Sequence, residues 1–251
     1  MLIDSHCHLY LKGLDSDLPA VLARSAEQGI TGILCPAIDL PTAERAVEIA
    51  EQHVPVQAAV GVHPNYSSDL PEDYLNLLRR FAAEDVVVAI GEIGLDYYRE
   101  YCPQERQQQI FRQQLELARE VELPVIIHNR DADEDVIAIL RESGISRGVA
   151  HCFSGSVALA EQFMELGFYI SFAGNLTYKN SDLPLVAQNI PVEKLLVETD
   201  APFLSPVPFR GKLNEPARTR YVALKLAAVK GLPPEELADH TTANTKALFG
   251  I

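Results

Sequence analysis

The chain has no tryptophan, two methionines and four cysteines in 251 residues. Cys7, Cys35, Cys102 and Cys152 form no C-x-x-C pair, so the spacing offers neither a zinc ribbon nor a disulfide scaffold. Buried or inert thiols are expected instead. Apolar runs are short: none approaches the roughly 18 residues that a membrane span requires, and no basic stretch followed by an apolar one opens the chain. The expectation is a cytoplasmic protein with no membrane contact and no obligate protein partner. Basic charge is scarce as well, with 21 Lys and Arg against 35 Asp and Glu and a net charge of -14. Such a surface excludes broad adhesion to nucleic acid, because a phosphate backbone rewards clustered cations. It leaves open a phosphate substrate held by bound divalent ions and a small basic loop.

With 47% hydrophobic residues, the chain can bury a sizeable core, and residues 1–251 read as a single domain of a length that suits an α/β barrel. Short β-branched runs at 1–8, 31–37, 55–63, 86–94, 123–129, 147–153, 167–174 and 194–202 read as strands buried on both faces. Helix-length segments separate them. Over 104–122, Phe111, Leu115 and Ala118 fall on one helical face. Another helix is expected to start at Asp131, with Glu134 three residues on, as in an N-cap with its reciprocal acid. That makes Asp133 and Glu134 helix-start charges rather than catalytic ones. Alternating β and α units imply a parallel sheet, and eight of them predict closure into a (β/α)8 barrel of TIM type.

Function in such a barrel sits at the C-terminal ends of the strands. Strand one ends in His6 and His8, strand four in Glu92, strand five in His128, strand six in His151 and strand eight in Asp200. One histidine closing a strand is commonly structural, but six residues of ligand type on one rim predict a site for divalent metal such as Zn, Mn, Mg or Fe. His63, closing strand three, should face the same mouth and is a candidate to hold substrate or donate a proton. Glu198 shares the inward parity of Asp200, so it is placed to hydrogen-bond a metal-bound histidine or to pack lower in the barrel. His53 and His240 have no strand-end context and are expected at the surface.

Loops supply the candidate substrate contacts. Arg130 follows His128, and the segment 205–220 carries Arg210, Lys212, Arg218 and Arg220 against Glu215 alone, a basic island on an acidic protein. Guanidinium and ammonium groups beside a metal centre suit a phosphodiester. Tyr97 and Tyr98 are placed to stack on a base or to pack their loop.

The ordered set DSHCHL (4–9), GVHP (61–64), GEIGLDYY (91–98), IIHNRDA (126–132), HCFSG (151–155), ETDAPFL (198–204) and RGKLNEP (210–216) resembles the TatD-type metal-dependent hydrolases, a branch of the amidohydrolase-like barrels, from end to end. The resemblance implies two adjacent divalent ions, with His6, His8 and Asp200 on one, His128 and His151 on the other, and Glu92 bridging. Leu213 stands where many members carry a basic residue. Two cations flanking a water would lower its pKa toward neutrality, giving a metal-bound hydroxide, and Asp200 is assigned as general base. The expected activity is a deoxyribonuclease acting on DNA or a smaller phosphodiester. The same hydroxide would serve a carboxylic ester or amide hydrolase, such as an aminoacyl-tRNA deacylase. A non-catalytic metal-binding scaffold would have lost a ligand, and none is missing.

Overall fold

A computed structural model of the chain describes residues 1–11, 13–99 and 101–251. Its strands are β1 (Leu2–Asp4), β2 (Ile30–Pro36), β3 (Val56–Val60), β4 (Val87–Asp96), β5 (Val125–Arg130), β6 (Gly148–Ala150), β7 (Tyr169–Phe172) and β8 (Leu195–Val197). They form one parallel sheet in chain order. The helices that return the chain are α1 (Leu18–Glu27), α2 (Leu40–Gln52), α3 (Tyr74–Phe81), α4 (Gln104–Glu120), α5 (Asp133–Ser143), α6 (Val157–Glu165), α7 (Leu183–Asn189) and α8 (Thr219–Lys230), followed by α9 (Pro234–Phe249). This is the expected (β/α)8 arrangement. No helix among the described residues is long and apolar enough to cross a membrane.

Two apolar layers hold the barrel. Residues such as Ile33, Val60, Ile90, Phe111, Val136 and Leu226 pack between the sheet and the helices, and Phe111, Leu115 and Ala118 face that layer as their spacing predicts. Inside the barrel, Leu34, Ala59, Ala89, Ile126, Val149 and Leu196 pack with Leu248 and Phe249 from the end of α9. The four thiols are free; Cys7, Cys35 and Cys102 are buried and Cys152 is partly so.

Several strands are shorter than the sequence suggests, and the difference bears on the site. β1 ends at Asp4, so His6 and His8 lie beyond it, yet the chain stays extended enough to close the barrel. Ser5 N–H donates to Val197 O at 3.1 Å, Asp200 N–H to His6 O at 2.9 Å and His8 N–H to Ala201 O at 2.8 Å. The seam between first and last strands is therefore made by the segment that carries three ligand-type side chains. β8 likewise ends at Val197, short of Glu198 and Asp200. β4 departs in the other direction, running to Asp96 rather than stopping at 94. The helix expected from Asp131 begins at Asp133 instead: Asp131 takes a left-handed φ of 55°, and Ala132 is the N-cap with no side-chain cap bond. Asp133, Glu134 and Asp135 occupy the first turn, where acids favour the helix dipole.

Gly94 shows how tightly β4 meets β5. It has φ +145°, and a Cβ added there would stand 1.9 Å from the carbonyl oxygen of His128. Gly94→Ala must push β5 away and displace His128 with it. The variant is expected to lose about 3 kcal/mol or more of unfolding free energy in urea. A loss below 1 kcal/mol, roughly that of an ordinary glycine replacement in reverse, would show that the strands separate easily.

Candidate metal centre

The strands and the segments just beyond them bring seven titratable side chains to one point at the barrel mouth. Glu92 lies at its middle, 3% exposed. A strict two-residue alternation from Ile90, which faces the helices, would turn Glu92 outward as well. The register shift between Ile90 and Ile93 adds a residue to the inner face, and Glu92 points into the barrel.

Its two oxygens face different imidazoles. Oε2 is 3.3 Å from His6 Nε2 and 3.7 Å from His8 Nε2. Oε1 is 2.7 Å from both His128 Nδ1 and His151 Nε2. Asp200 sits beside the first pair, with Oδ1 3.5 Å from His8 Nε2 and 4.0 Å from His6 Nε2, while the two Nε2 atoms are 3.2 Å apart. Nitrogen and oxygen ligands about 2.0–2.2 Å from one ion stand roughly 3–3.5 Å from each other. The spacing of the first group fits a shared divalent ion, as does its mixed imidazole and carboxylate chemistry. Charge points the same way: among the described residues Glu92 and Asp200 pair with histidines and with no Lys or Arg. Buried carboxylates need a cation, and here the candidates are protonated imidazoles or metal.

The electrostatics follow from that competition. Burial pushes Glu92 up, but the His151 charge and hydrogen bonds from His128 and His151 outweigh it and hold the carboxyl well below its usual range. Asp200 is lowered in the same way, burial being overcome chiefly by His8. Burial depresses the His8, His128 and His151 imidazoles, yet the carboxylates facing them prevail and raise all three. Burial and the His151 charge lower His6. Protons and a divalent ion compete for these nitrogens, so metal affinity falls as pH decreases.

Groups around these ligand-type residues fix their orientation. His8 Nδ1 is 2.8 Å from the Tyr10 hydroxyl and 3.1 Å from Pro36 O, and that hydroxyl donates to the same carbonyl at 2.9 Å. The hydroxyl proton is thereby used, so His8 Nδ1–H donates and Nε2 keeps its lone pair for the centre. Glu198 Oε1 accepts from Cys152 N–H at 2.8 Å and lies 3.3 Å from His151 Nδ1, which turns His151 Nε2 toward Glu92. Asp96 Oδ2 is 3.2 Å from His128 Nε2 and is held at about 2 because that bond overcomes the cost of burial. Asp4, buried and pushed up to about 7 by burial, accepts from the Thr199 hydroxyl at 2.6 Å and its N–H at 2.8 Å, tying the His6 segment to the Asp200 segment. Asp4, Tyr10 and Asp96 were not singled out by sequence. Asp96 carried the clearest signal, an acid four residues beyond Glu92. Tyr10→Phe is expected to weaken metal binding about 10-fold, within the roughly 10–100-fold range for such supporting contacts. Titration with a metal-competing dye reads this directly, and unchanged affinity would remove Tyr10 from the orienting role.

His63 is not in a strand; it caps the short turn Pro64–Tyr66. Its Nδ1 accepts from Asn65 N–H at 3.1 Å, leaving the proton on Nε2, which is 3.6 Å from Glu92 Oε1. Burial first, then the His128 charge, pushes it down to about 3, so the ring is neutral. In that tautomer Nε2–H is a donor toward the mouth, and with Glu92 and His128 the ring also stands within reach of a shared ion.

The cavity above these groups holds about 600 Å³ and is lined also by Arg130, Arg99, Asn175 and Phe203. Arg130 therefore reaches the mouth. Tyr97 does not: its hydroxyl donates to Asp135 at 2.6 Å and accepts from Gln108 at 2.8 Å, between α4 and α5. Lys212 does not line it either; its Nζ lies 5.9 Å from the Phe209 ring. Arg210 lines an adjoining cavity. Arg218 is engaged with Ser205 and Leu213 O, and Glu215 pairs with Arg24 at 2.7 Å, so within the basic island Arg218 is spent on its own loop. His53 ends α2, and His240 lies on α9 near Glu236, both far from the mouth.

The profile of the family described as TatD related DNase matches residues 3–250. The chain belongs to the TatD family. Among TatD relatives it is 45% identical to a protein of Bacillus subtilis (strain 168) described as an uncharacterized metal-dependent hydrolase, YabD, with 100% of both chains covered. It is also 45% identical to the protein so described as YcfH of Escherichia coli (strain K12), over 100% of this chain and 96% of that one. The crystal structure of the TatD homologue YJJV from Escherichia coli K12 superposes with a TM-score of 0.96 at 35% identity, covering 100% of this chain and 98% of the other. This TatD chain is a metal-dependent hydrolase. A dihydropyrimidinase at 13% identity and TM-score 0.69 shares the barrel fold alone.

Proposed function

We propose that the chain is a deoxyribonuclease that hydrolyses phosphodiester bonds with two divalent ions per chain. The observation that supports this most is the division of Glu92, one oxygen toward His6 and His8 and the other toward His128 and His151. A shared carboxylate of that kind holds two ions about 3.5–4 Å apart. His6, His8 and Asp200 would hold one, and His128 and His151 the other.

Bound there, the ions supply Lewis acidity and an acidified water. The remaining work falls to the chain. Asp200 turns Oδ1 to His8, and its second oxygen takes the proton of the attacking water as general base. His63 offers Nε2–H to a phosphoryl or leaving oxygen, and Arg130 and Arg99 place guanidinium charge on the rim for the anionic substrate. These arginines favour an anionic substrate such as a phosphodiester over a cyclic amide, whose neutral carbonyl would give them no anion to meet; the phosphates of an aminoacyl-tRNA would meet them as well.

Single-stranded DNA, a small aryl phosphodiester and an aminoacyl ester, offered to metal-reconstituted and to chelated enzyme, test the proposal. Metal-dependent cleavage of the two phosphodiesters is expected. Turnover of the aminoacyl ester alone would keep the centre and overturn its substrate.

A further inference from the structure

A second cavity, of about 870 Å³, adjoins the metal cavity and shares Ser154 and Asn175 with it. It extends past the turn Gly174–Thr177 to Tyr178, Lys179 and Arg210. Each of the two cavities alone falls within the roughly 300–1,000 Å³ that encloses a drug-sized ligand. Together they exceed what one small substrate fills. A third space, of about 220 Å³, opens beside Arg130, but Asp131 and Asp133 line it and would repel phosphate.

Arg210 and Tyr178 form the far wall. The guanidinium carbon stands 3.7 Å over the ring centroid, and the Tyr178 hydroxyl donates to Ser205 O at 3.3 Å, which holds the ring in place. Unlike Arg218 and Arg24, whose N–H groups are committed within the fold, exposed Arg210 makes no ion pair among the described residues. Asn175, at the junction, has a buried amide oxygen with no hydrogen-bond partner, so the fold itself makes no use of that polar atom. On the β4–β5 side of the mouth Arg130 stacks on Tyr98 at 3.8 Å. Two adjoining cavities are thus each lined by an arginine stacked on a tyrosine, a pairing of a cation suited to phosphate with a ring suited to a base.

We propose that the cavity at Tyr178 and Arg210 is a subsite for the portion of a single-stranded nucleotide chain that continues beyond the scissile bond. The inference rests on the phosphodiesterase reading and adds to it the residues that set a preference for longer chains. Lys179 and Arg210 against Asp182 leave this groove locally positive on a protein of net charge -14, so one guanidinium there carries much of the attraction.

The test compares kcat and KM for single-stranded oligonucleotides of two and eight nucleotides in wild type, Arg210→Gln, Tyr178→Leu and Tyr178→Phe, with Arg119→Gln on α4 as a charge-matched control. Wild type is expected to prefer the longer chain. Arg210→Gln and Tyr178→Leu should cut that preference on the order of 10-fold, mainly through KM, while Tyr178→Phe keeps the stack and restores it. The salt dependence of log KM for the longer chain should flatten by about 0.7 in Arg210→Gln and stay put in Arg119→Gln. Fluorescence anisotropy of a labelled eight-nucleotide chain on chelated enzyme reads the same loss without turnover. An undiminished preference in Arg210→Gln, with both oligonucleotides still cleaved, overturns the subsite and leaves the phosphodiesterase reading standing. Failure of the wild type to cleave either oligonucleotide overturns both.

Discussion

Glu92→Ala protein, purified and analysed for metal, is expected to hold at most one divalent ion per chain and to lose hydrolysis by roughly 10³-fold or more. The expectation follows from the position of one carboxylate between four imidazoles, at 2.7 Å from two of them and 3.3 and 3.7 Å from the others. Removing a supporting hydrogen bond costs about 10–100-fold in affinity, and Glu92 would be a ligand on both sides, so the loss must be greater. It also removes one of the negative charges that raise His8, His128 and His151, leaving Asp200, Asp96 and Glu198 beside them. Glu92→Gln separates shape from charge: it fills the same space, keeps one oxygen acceptor and is expected to bind metal nearly as poorly as the alanine variant. Two ions retained at normal affinity in either variant would refute the bridging role.

Asp200→Asn, assayed at saturating metal because Asp200 is also proposed as a ligand, should behave differently, losing about 10²–10⁴-fold in kcat while KM holds near wild type. The amide oxygen can still face His8 where Oδ1 now stands, 3.5 Å away, but the amide cannot accept the proton of the attacking water. Asp200 adopts a left-handed φ of 53°, a conformation asparagine tolerates as readily as aspartate, so the substitution leaves the loop in place. Kinetics measured over a titration of added metal give both numbers. A kcat within a few-fold of wild type would take the general-base role away from Asp200, and activity restored in step with added metal would leave it a ligand alone.

Much of this architecture was legible because its signals are local. A buried strand needs a run of β-branched and aliphatic residues whatever its partners, and all eight runs in the chain became strands of one sheet. The helix at 104–122 followed from spacing alone, and α4 spans Gln104–Glu120. Element ends were less legible, since they depend on what the neighbouring strand offers. Asp131 had the sequence of an N-cap but takes a left-handed turn after β5, and the helix starts two residues later. Tyr97 had the neighbourhood of a substrate contact, yet Gln108 and Asp135, distant in sequence, turn its hydroxyl outward.

The amino-acid sequence by itself determined the repeating β/α order, and it placed the ligand-type residues toward the C-terminal ends of five strands, because parallel strands bring all those ends to one rim. Only the tertiary structure decided which way those residues face. The register shift in β4 brings Glu92 inward, the hydrogen-bonded seam between the ends of β1 and β8 sets His6 and His8 against Asp200, and the extension of β4 to Asp96 gives His128 its second carboxylate. Each of these depends on pairing between segments far apart in the chain, where a one-residue change of register reverses the face a side chain presents.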